Sequence, residues 1–253
     1  MELIEFRVRG RTAHFLRAEA SASALSYPVP PRTAILGMLG AICGIKKDEP
    51  QIILEQTTLD LPQASEKFAQ IAISGKIPQT HWHRVKLRKD PPVPLPYTVK
   101  CSQRVERNTA PEKATLILQE WLLNPDYTIW VSLPSPHHED LKNRLKERRW
   151  HFSPSLGLSE MLADIEYINT HESNVLPEGD YIINTVFQRN LARLDMEQVF
   201  GKQLALHALN MPRTVTEDRI FSHCAYYIER DAKPVPVNTK HAYRVADKNL
   251  MFL

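Results

Sequence analysis

Ser26-Tyr27-Pro28-Val29-Pro30-Pro31-Arg32-Thr33-Ala34-Ile35-Leu36-Gly37-Met38-Leu39-Gly40-Ala41-Ile42-Cys43-Gly44 couples a proline-stiffened loop to an apolar segment punctuated by glycines. Proline fixes its own φ and suits the first turn of a helix, where its missing N–H is not needed. The pattern predicts a helix over roughly Thr33–Cys43, with Thr33 as a candidate cap for the free N–H groups and Gly44 as the stop. Those N–H groups, the helix dipole and Arg32 together favour an anion such as a phosphate. Gly37, Gly40 and Gly44 recur at spacings of three and four and so share one helix face, where a second backbone can approach closely. The plainer reading is a buried helix packed on a sheet, and it is compatible with an anion at the helix start.

Upstream of this helix, Leu3, Phe6 and Val8 alternate with polar neighbours as a first strand does, and Ile4 fits that phase less well. A long loop runs from Arg9 to Pro31. Downstream, Thr57–Leu61, Ala69–Ser74 and Tyr127–Leu133 read as strands. Leu141 and Leu145 stand four apart amid charges in Glu139–Arg149, which marks an amphipathic helix. Ala163–Ile168 follows a Pro154–Gly157 turn as a further strand. The order strand, helix, strands, helix, strand predicts an α+β fold with a ferredoxin-like (RRM-like) β-α-β-β-α-β core over residues 1–170. Tyr181–Phe187, Cys224–Ile228 and His241–Phe252 supply strands for a small C-terminal β-rich extension over 171–253. Leu191–Arg219 stays unassigned, with a helical pattern around Val199-Phe200 and from Leu204 to Leu209.

Residues 76–110 interrupt the core as a long basic β-hairpin. Between Lys76 and Arg107 stand eight basic and two acidic residues, a net +6, whereas the other 221 residues sum to −3. His81, His83, Val85 and Leu87 alternate with Trp82, Arg84, Lys86 and Arg88, which puts the second set on one strand face. The first set, apolar at Val85 and Leu87, is expected to pack inward. Pro91-Pro92-Val93-Pro94-Leu95-Pro96 cannot pair as an inner strand and reads as the stiff tip. Tyr97, Val99 and Cys101 then alternate with Thr98, Lys100 and Ser102 on the return. One reading is a solvated edge whose charges deter aggregation. The other is a finger laid along an RNA backbone, with phosphate neutralisation supplying salt-dependent affinity and either Trp82 or the tip residues Val93 and Leu95 wedging beside bases.

Bulk composition narrows the classes. The 253 residues are 43% hydrophobic, ample for a core, and the net charge of +3 alone does not imply nucleic acid. Cys43, Cys101 and Cys224 form no CxxC pair, so neither a zinc ribbon nor a disulfide framework is indicated, which suits a reducing cytoplasm. The N-terminus lacks a signal-peptide core, and no apolar run reaches the ~20 residues of a membrane span. His81-x-His83 and His137-His138 are the only close histidine pairs. Neither has the i,i+4 spacing of a helical zinc site, so no metal and no cofactor are expected. There is no GxxxxGK[ST] phosphate loop and no GxSxG elbow.

Phe6–Phe15 followed by Ser26–Gly44 resembles the N-terminal signature of the fifth Cas family of the RAMP superfamily, in its I-B-like form. Asn124–Val131 resembles the family's segment before a central strand, and Ser153–Glu160 its loop after the second helix. The matches cover about the first two thirds of the chain. The resemblance implies a non-catalytic subunit of a type I CRISPR surveillance complex (Cascade) in antiviral defence or related DNA targeting. Such a subunit caps the 5′ handle of the guide RNA (crRNA). It also bridges the first repeated backbone subunit to the large subunit, and meets target DNA through the assembled ribonucleoprotein complex. The basic hairpin corresponds to the family's thumb. On this basis the RNA-binding candidates are Arg9, Arg11, His14, Arg17, Tyr27, Pro30, Arg32 and Thr33 in the loop and helix start. Trp82, Arg84, Lys86, Arg88, Lys100, Arg104 and Arg107 join them from the hairpin, and Ser155 and Gly157 from the 153–157 turn. Some members of the family cleave the guide precursor without metal. The alternative is therefore an endoribonuclease on CRISPR repeat RNA, drawing its acid and base from His14, Tyr27, His81, His83, Lys86 and Lys100.

Overall fold

The first strand, β1 (Glu2–Arg9), is apolar on both faces. Ile4, Phe6 and Val8 point to one side and enter the largest core, while Leu3 points to the other, where Trp130, Val245, Leu250 and Phe252 cover it. The apolar phase of β1 is thus Ile4-Phe6-Val8, and Leu3 is the residue out of phase. A second apolar layer on the far side of the sheet makes both assignments stable. The computed structural model describes residues 1–17, 23–46, 69–88, 114–216 and 220–253, with backbone only at 86–88 and 114–116. The expected strand Thr57–Leu61 and the proline tip lie outside these residues.

β1 sits inside a six-stranded antiparallel sheet with β3 (Gln70–Gly75), β6 (Asp126–Ser132), β7 (Asp164–Val175), β14 (Tyr243–Val245) and β15 (Lys248–Leu250). The order is β15-β14-β7-β1-β6-β3. Helix α1 (Arg32–Cys43) falls between β1 and β3 in the sequence, and α2 (His137–Glu147) between β6 and β7. The fold is therefore sheet-rich, with few helices among the described residues.

In α1, Ile35, Leu36, Met38, Leu39 and Ile42 are buried against the sheet. Its predicted end is found: Gly44 adopts φ 79° and its N–H bonds back to the Gly40 carbonyl. Its predicted start is not. The cap is Pro31, and Thr33 makes no capping bond. The shared glycine face also fails to pack as one surface, because Gly37 is exposed and a Cβ added there would meet nothing within 4 Å, while Gly40 is buried. In α2, Leu141 and Leu145 are buried as expected. Glu139 and Asp140 in its first turn and Arg144 and Lys146 in its last complement the dipole.

The C-terminal strands do not form one appended sheet. β14 and β15 extend the main sheet beyond β7. β8 (Gly179–Ile183), β10 (Arg193–Leu194) and β13 (Val235–Thr239) form a second sheet, and β9 (Phe187–Gln188), β11 (Leu206–Val215) and β12 (Phe221–Glu229) a third. The unassigned stretch divides: α3 (Met196–Gly201) takes the helical pattern at Val199-Phe200, whereas Leu206 onward is strand. Pairing with β12 overrides the helical spacing there. Met211, Tyr226, Ile228 and Leu253 lie in the same core as β1 and α1.

A fourth sheet, β2-β5-β4, contains β2 (Thr12–Ala13), β4 (Gln79–Arg88) and β5 (Ala114–Leu123). β4 pairs with β5 over its full length, from Gln79 opposite Leu123 to Arg88 opposite Ala114. The strand that returns against β4 thus begins beyond the expected 76–110 boundary.

Candidate nucleic-acid interface

The hairpin β4–β5 presents two faces of different chemistry. Directly opposed residues of an antiparallel pair lie on the same side. Trp82 therefore stands with Glu120, and Arg84 with Leu118, on one face. Trp82 is 46% and Leu118 45% exposed, and Arg84 is exposed between them. An indole, an aliphatic side chain and a guanidinium open to solvent together suit stacking and phosphate contact. Lys86 and Arg88 continue along β4, with side chains outside the described residues. Lys100, Arg104 and Arg107 also lie outside them.

His81 and His83 were expected to pack inward, and both are exposed. The inward position on that face belongs to Trp121 of β5, which the sequence reading missed. Trp121 packs against the main core, and His83 stacks on it with ring centroids 4.4 Å apart and planes 30° apart.

The hairpin is fixed at its base to the loop after β1. The Ala24 N–H donates to the Leu118 carbonyl at 2.8 Å, and the Glu120 N–H donates to the Ala24 carbonyl at 2.9 Å. The Glu120 carboxylate accepts from the Ser26 N–H at 2.9 Å, and the His14 Nδ1 lies 2.8 Å from the Glu120 carbonyl. The two features expected to meet RNA, loop and hairpin, are therefore one connected body, with Glu120 at the joint.

Within the loop, most candidate contacts are occupied by the chain itself. His14 is 2% exposed, and burial holds its imidazole below the ordinary histidine range against the pull of the Glu120 carbonyl. Tyr27 is 2% exposed and its N–H donates to the Phe15 carbonyl at 2.8 Å. The Arg17 Nε donates to the Ser26 carbonyl at 2.9 Å, and its guanidinium lies 5.4 Å over the Tyr27 ring. Arg11 is exposed and makes no ion pair among the described residues.

The helix start is closed to an anion. Pro28 to Arg32 are buried, Pro30 included. Arg32 is 3% exposed and donates to the Ala69 carbonyl at 2.7 Å and to the Arg213 carbonyl at 3.4 Å. The expected phosphate seat at Arg32–Thr33 is thus filled by protein carbonyls, and Arg32 ties α1 to the chain before β3 and to β11. Burying a guanidinium requires such partners.

Arg7 and Arg9 share one face of β1, and carboxylates compensate both. Arg7 makes a two-pronged contact with Asp126, which holds the Asp126 carboxyl below the usual range. Arg9 reaches Asp164 at 3.1 Å and Glu166 at 3.3 Å, and Arg148 also binds Asp164 at 2.8 Å. These pairs are solvent-exposed and individually worth little.

The 153–157 turn does lie beside the loop, but its close approach is to backbone rather than to a ligand. Gly157 has φ 100°, and a Cβ there would stand 1.8 Å from the His14 carbonyl oxygen. The His14 N–H donates to the Leu156 carbonyl at 3.0 Å. Ser155 bridges to Leu162 and is partly exposed.

Among the described residues, one cluster has the composition of a cation site: Glu2, His138 and Glu139. The Lys142 ammonium already sits there, 2.9 Å from Glu2 and 2.9 Å from Glu139. Its hydrogen bonds to Glu139 and Glu2 push its pKa up to about 12. No helix among the described residues is long and apolar enough to cross a membrane.

The sequence from residue 3 to residue 223 matches the model of a family described as CRISPR-associated protein (Cas_Cas5). No curated protein sequence matches. Among solved structures, a CRISPR protein from Archaeoglobus fulgidus is 12% identical, with 98% of this chain and 97% of that chain covered and a TM-score of 0.52. That likeness extends to the overall fold. A chain titled as part of a CRISPR RNA-guided surveillance complex is 13% identical, with 92% and 91% covered and a TM-score of 0.48.

Proposed function

The chain belongs to the Cas5 family of CRISPR-associated proteins, and from that premise we propose that it is a non-catalytic, RNA-binding subunit of a type I surveillance complex. It holds the 5′ handle of the guide RNA and bridges the first repeated backbone subunit to the large subunit. Target DNA is met through the assembled complex, where guide pairing reads sequence and protein contacts support geometry. In this reading β1, α1, β3, β6, α2 and β7, with strand order β7-β1-β6-β3, are a ferredoxin-like core. The β4–β5 hairpin is its thumb.

The observation that carries the reading is the hairpin face bearing Trp82, Arg84 and Leu118, anchored through Glu120 to the loop. Core packing does not require a tryptophan and a guanidinium left in solvent. An RNA strand laid along that face releases counterions at its phosphates and covers the apolar surface. With His14, Tyr27 and Arg32 committed to the interior, the hairpin and Arg11 are the working contacts.

Neutralising Arg84, Lys86 and Arg88 together to Gln tests this. Guide binding should weaken, and the slope of log affinity against log salt should become shallower by about two to three. An unchanged slope removes the hairpin from the RNA path. Burial takes His14 and Tyr27 out of the acid–base pair that 2′-hydroxyl attack needs, whereas His81 and His83 are exposed, so the non-catalytic assignment is decided by experiment. Repeat RNA incubated with the purified chain in EDTA should stay intact; site-specific cleavage would overturn that assignment.

A further inference from the structure

The hairpin face opposite Trp82 carries a second arrangement. His81 and His83 are exposed on it, and His83 lies over Trp121 with centroids 4.4 Å apart. Trp121 is held from behind by the main core. Gln119 stands directly across the strand pair from His83. Its Oε1 accepts from the Trp121 Nε1 at 3.1 Å, which fixes the side-chain amide and leaves its NH2 to donate. The result is a layered stack of core, indole and imidazole whose last ring faces water, with an oriented amide at its edge.

We propose that the outer face of His83 is a stacking seat for one unpaired RNA base, with Gln119 donating to an acceptor on that base's edge. The inference rests on the reading of the hairpin as an RNA finger, and adds to it a base contact on the side away from the cationic face. Single-stranded RNA is recognised by stacking splayed bases on aromatic rings, histidine included, and by hydrogen bonds to their edges. An imidazole backed by tryptophan loses little further freedom when a base lies on it, so the seat is organised before RNA arrives. No ring on the Trp82 face is braced in this way among the described residues.

The test compares two probes on the full chain: an eight-nucleotide single-stranded RNA, and an abasic ribose-phosphate chain of the same length. His83→Ala should weaken binding of the RNA about tenfold and leave the abasic chain unaffected. His83→Phe, which keeps a ring, should restore most of the loss. The salt slope should not change, because no phosphate contact is removed. Equal loss on both probes, or no loss on RNA, overturns the seat. Either result leaves the hairpin reading standing if neutralising Arg84, Lys86 and Arg88 still lowers the slope. A wild-type chain that binds neither probe overturns both.

Discussion

Two glycines of this chain, alike on paper, have opposite energetics. Gly37 lies exposed within α1, and a Cβ there meets nothing within 4 Å. Gly37→Ala should therefore stabilise the protein by about 1 kcal/mol, the helix-propensity difference, seen as a raised urea midpoint. Gly157 holds φ 100° with the His14 carbonyl at 1.8 Å from its added Cβ. Gly157→Ala should cost about 2–4 kcal/mol, since neither the backbone angle nor a neighbouring backbone can give way cheaply. Equal midpoints for the two variants would contradict these placements. The same scale explains Arg32. Beside a helix start it reads naturally as a phosphate ligand, and what fills its fork instead are the carbonyls of Ala69 and of Arg213, the second 181 residues further on. Nothing local announces a neighbour so distant in sequence.

At the scale of elements, the joint between loop and hairpin is the strongest feature. His14 is wedged there, neutral by burial, with Nδ1 on the Glu120 carbonyl. Because the folded pKa is depressed, the unfolded chain binds the proton more readily once pH falls below about 6.5. This contribution to stability is complete above that pH and drains away as pH falls toward the folded value. Urea midpoints measured from pH 8 to pH 5 should decline below about 6.5, and less steeply in His14→Gln. Identical profiles would show that His14 is not the buried neutral group described. Elements were unevenly legible. α1 and α2 declare themselves through apolar spacing and, for α1, a glycine stop. β5 does not, because Leu118 faces solvent and Leu122 the core, so its leucines lack clean alternation. Without β5 the proline-rich tip suggests an earlier return, and the inward partner of the histidine face, Trp121, goes unseen.

Across the whole molecule, charge is segregated. The stretch from Lys76 to Arg107 is +6 and the remainder −3. Elsewhere the two arginines of β1 are spent on carboxylates: Arg7 on Asp126, Arg9 on Asp164 and Glu166. That division was legible from sequence as a count, and the structure shows on the hairpin an exposed Arg84, without an ion pair among the described residues, on the same face as exposed Trp82. The merging of the C-terminal strands into the main sheet and core was not legible, because β14 pairs with a strand some seventy residues earlier and short strands carry little periodic signal. A hairpin face with an open guanidinium, on the stretch that holds the chain's excess positive charge, concentrates attraction for polyanions there. Ultraviolet crosslinking of the full chain to a guide RNA, with both the peptide and the nucleotide mapped, tests this most directly. The account predicts crosslinks joining residues of β4 or β5, Trp82 foremost, to nucleotides of the 5′ handle; crosslinks confined to other surfaces, or to the part of the guide that pairs with target, would contradict it.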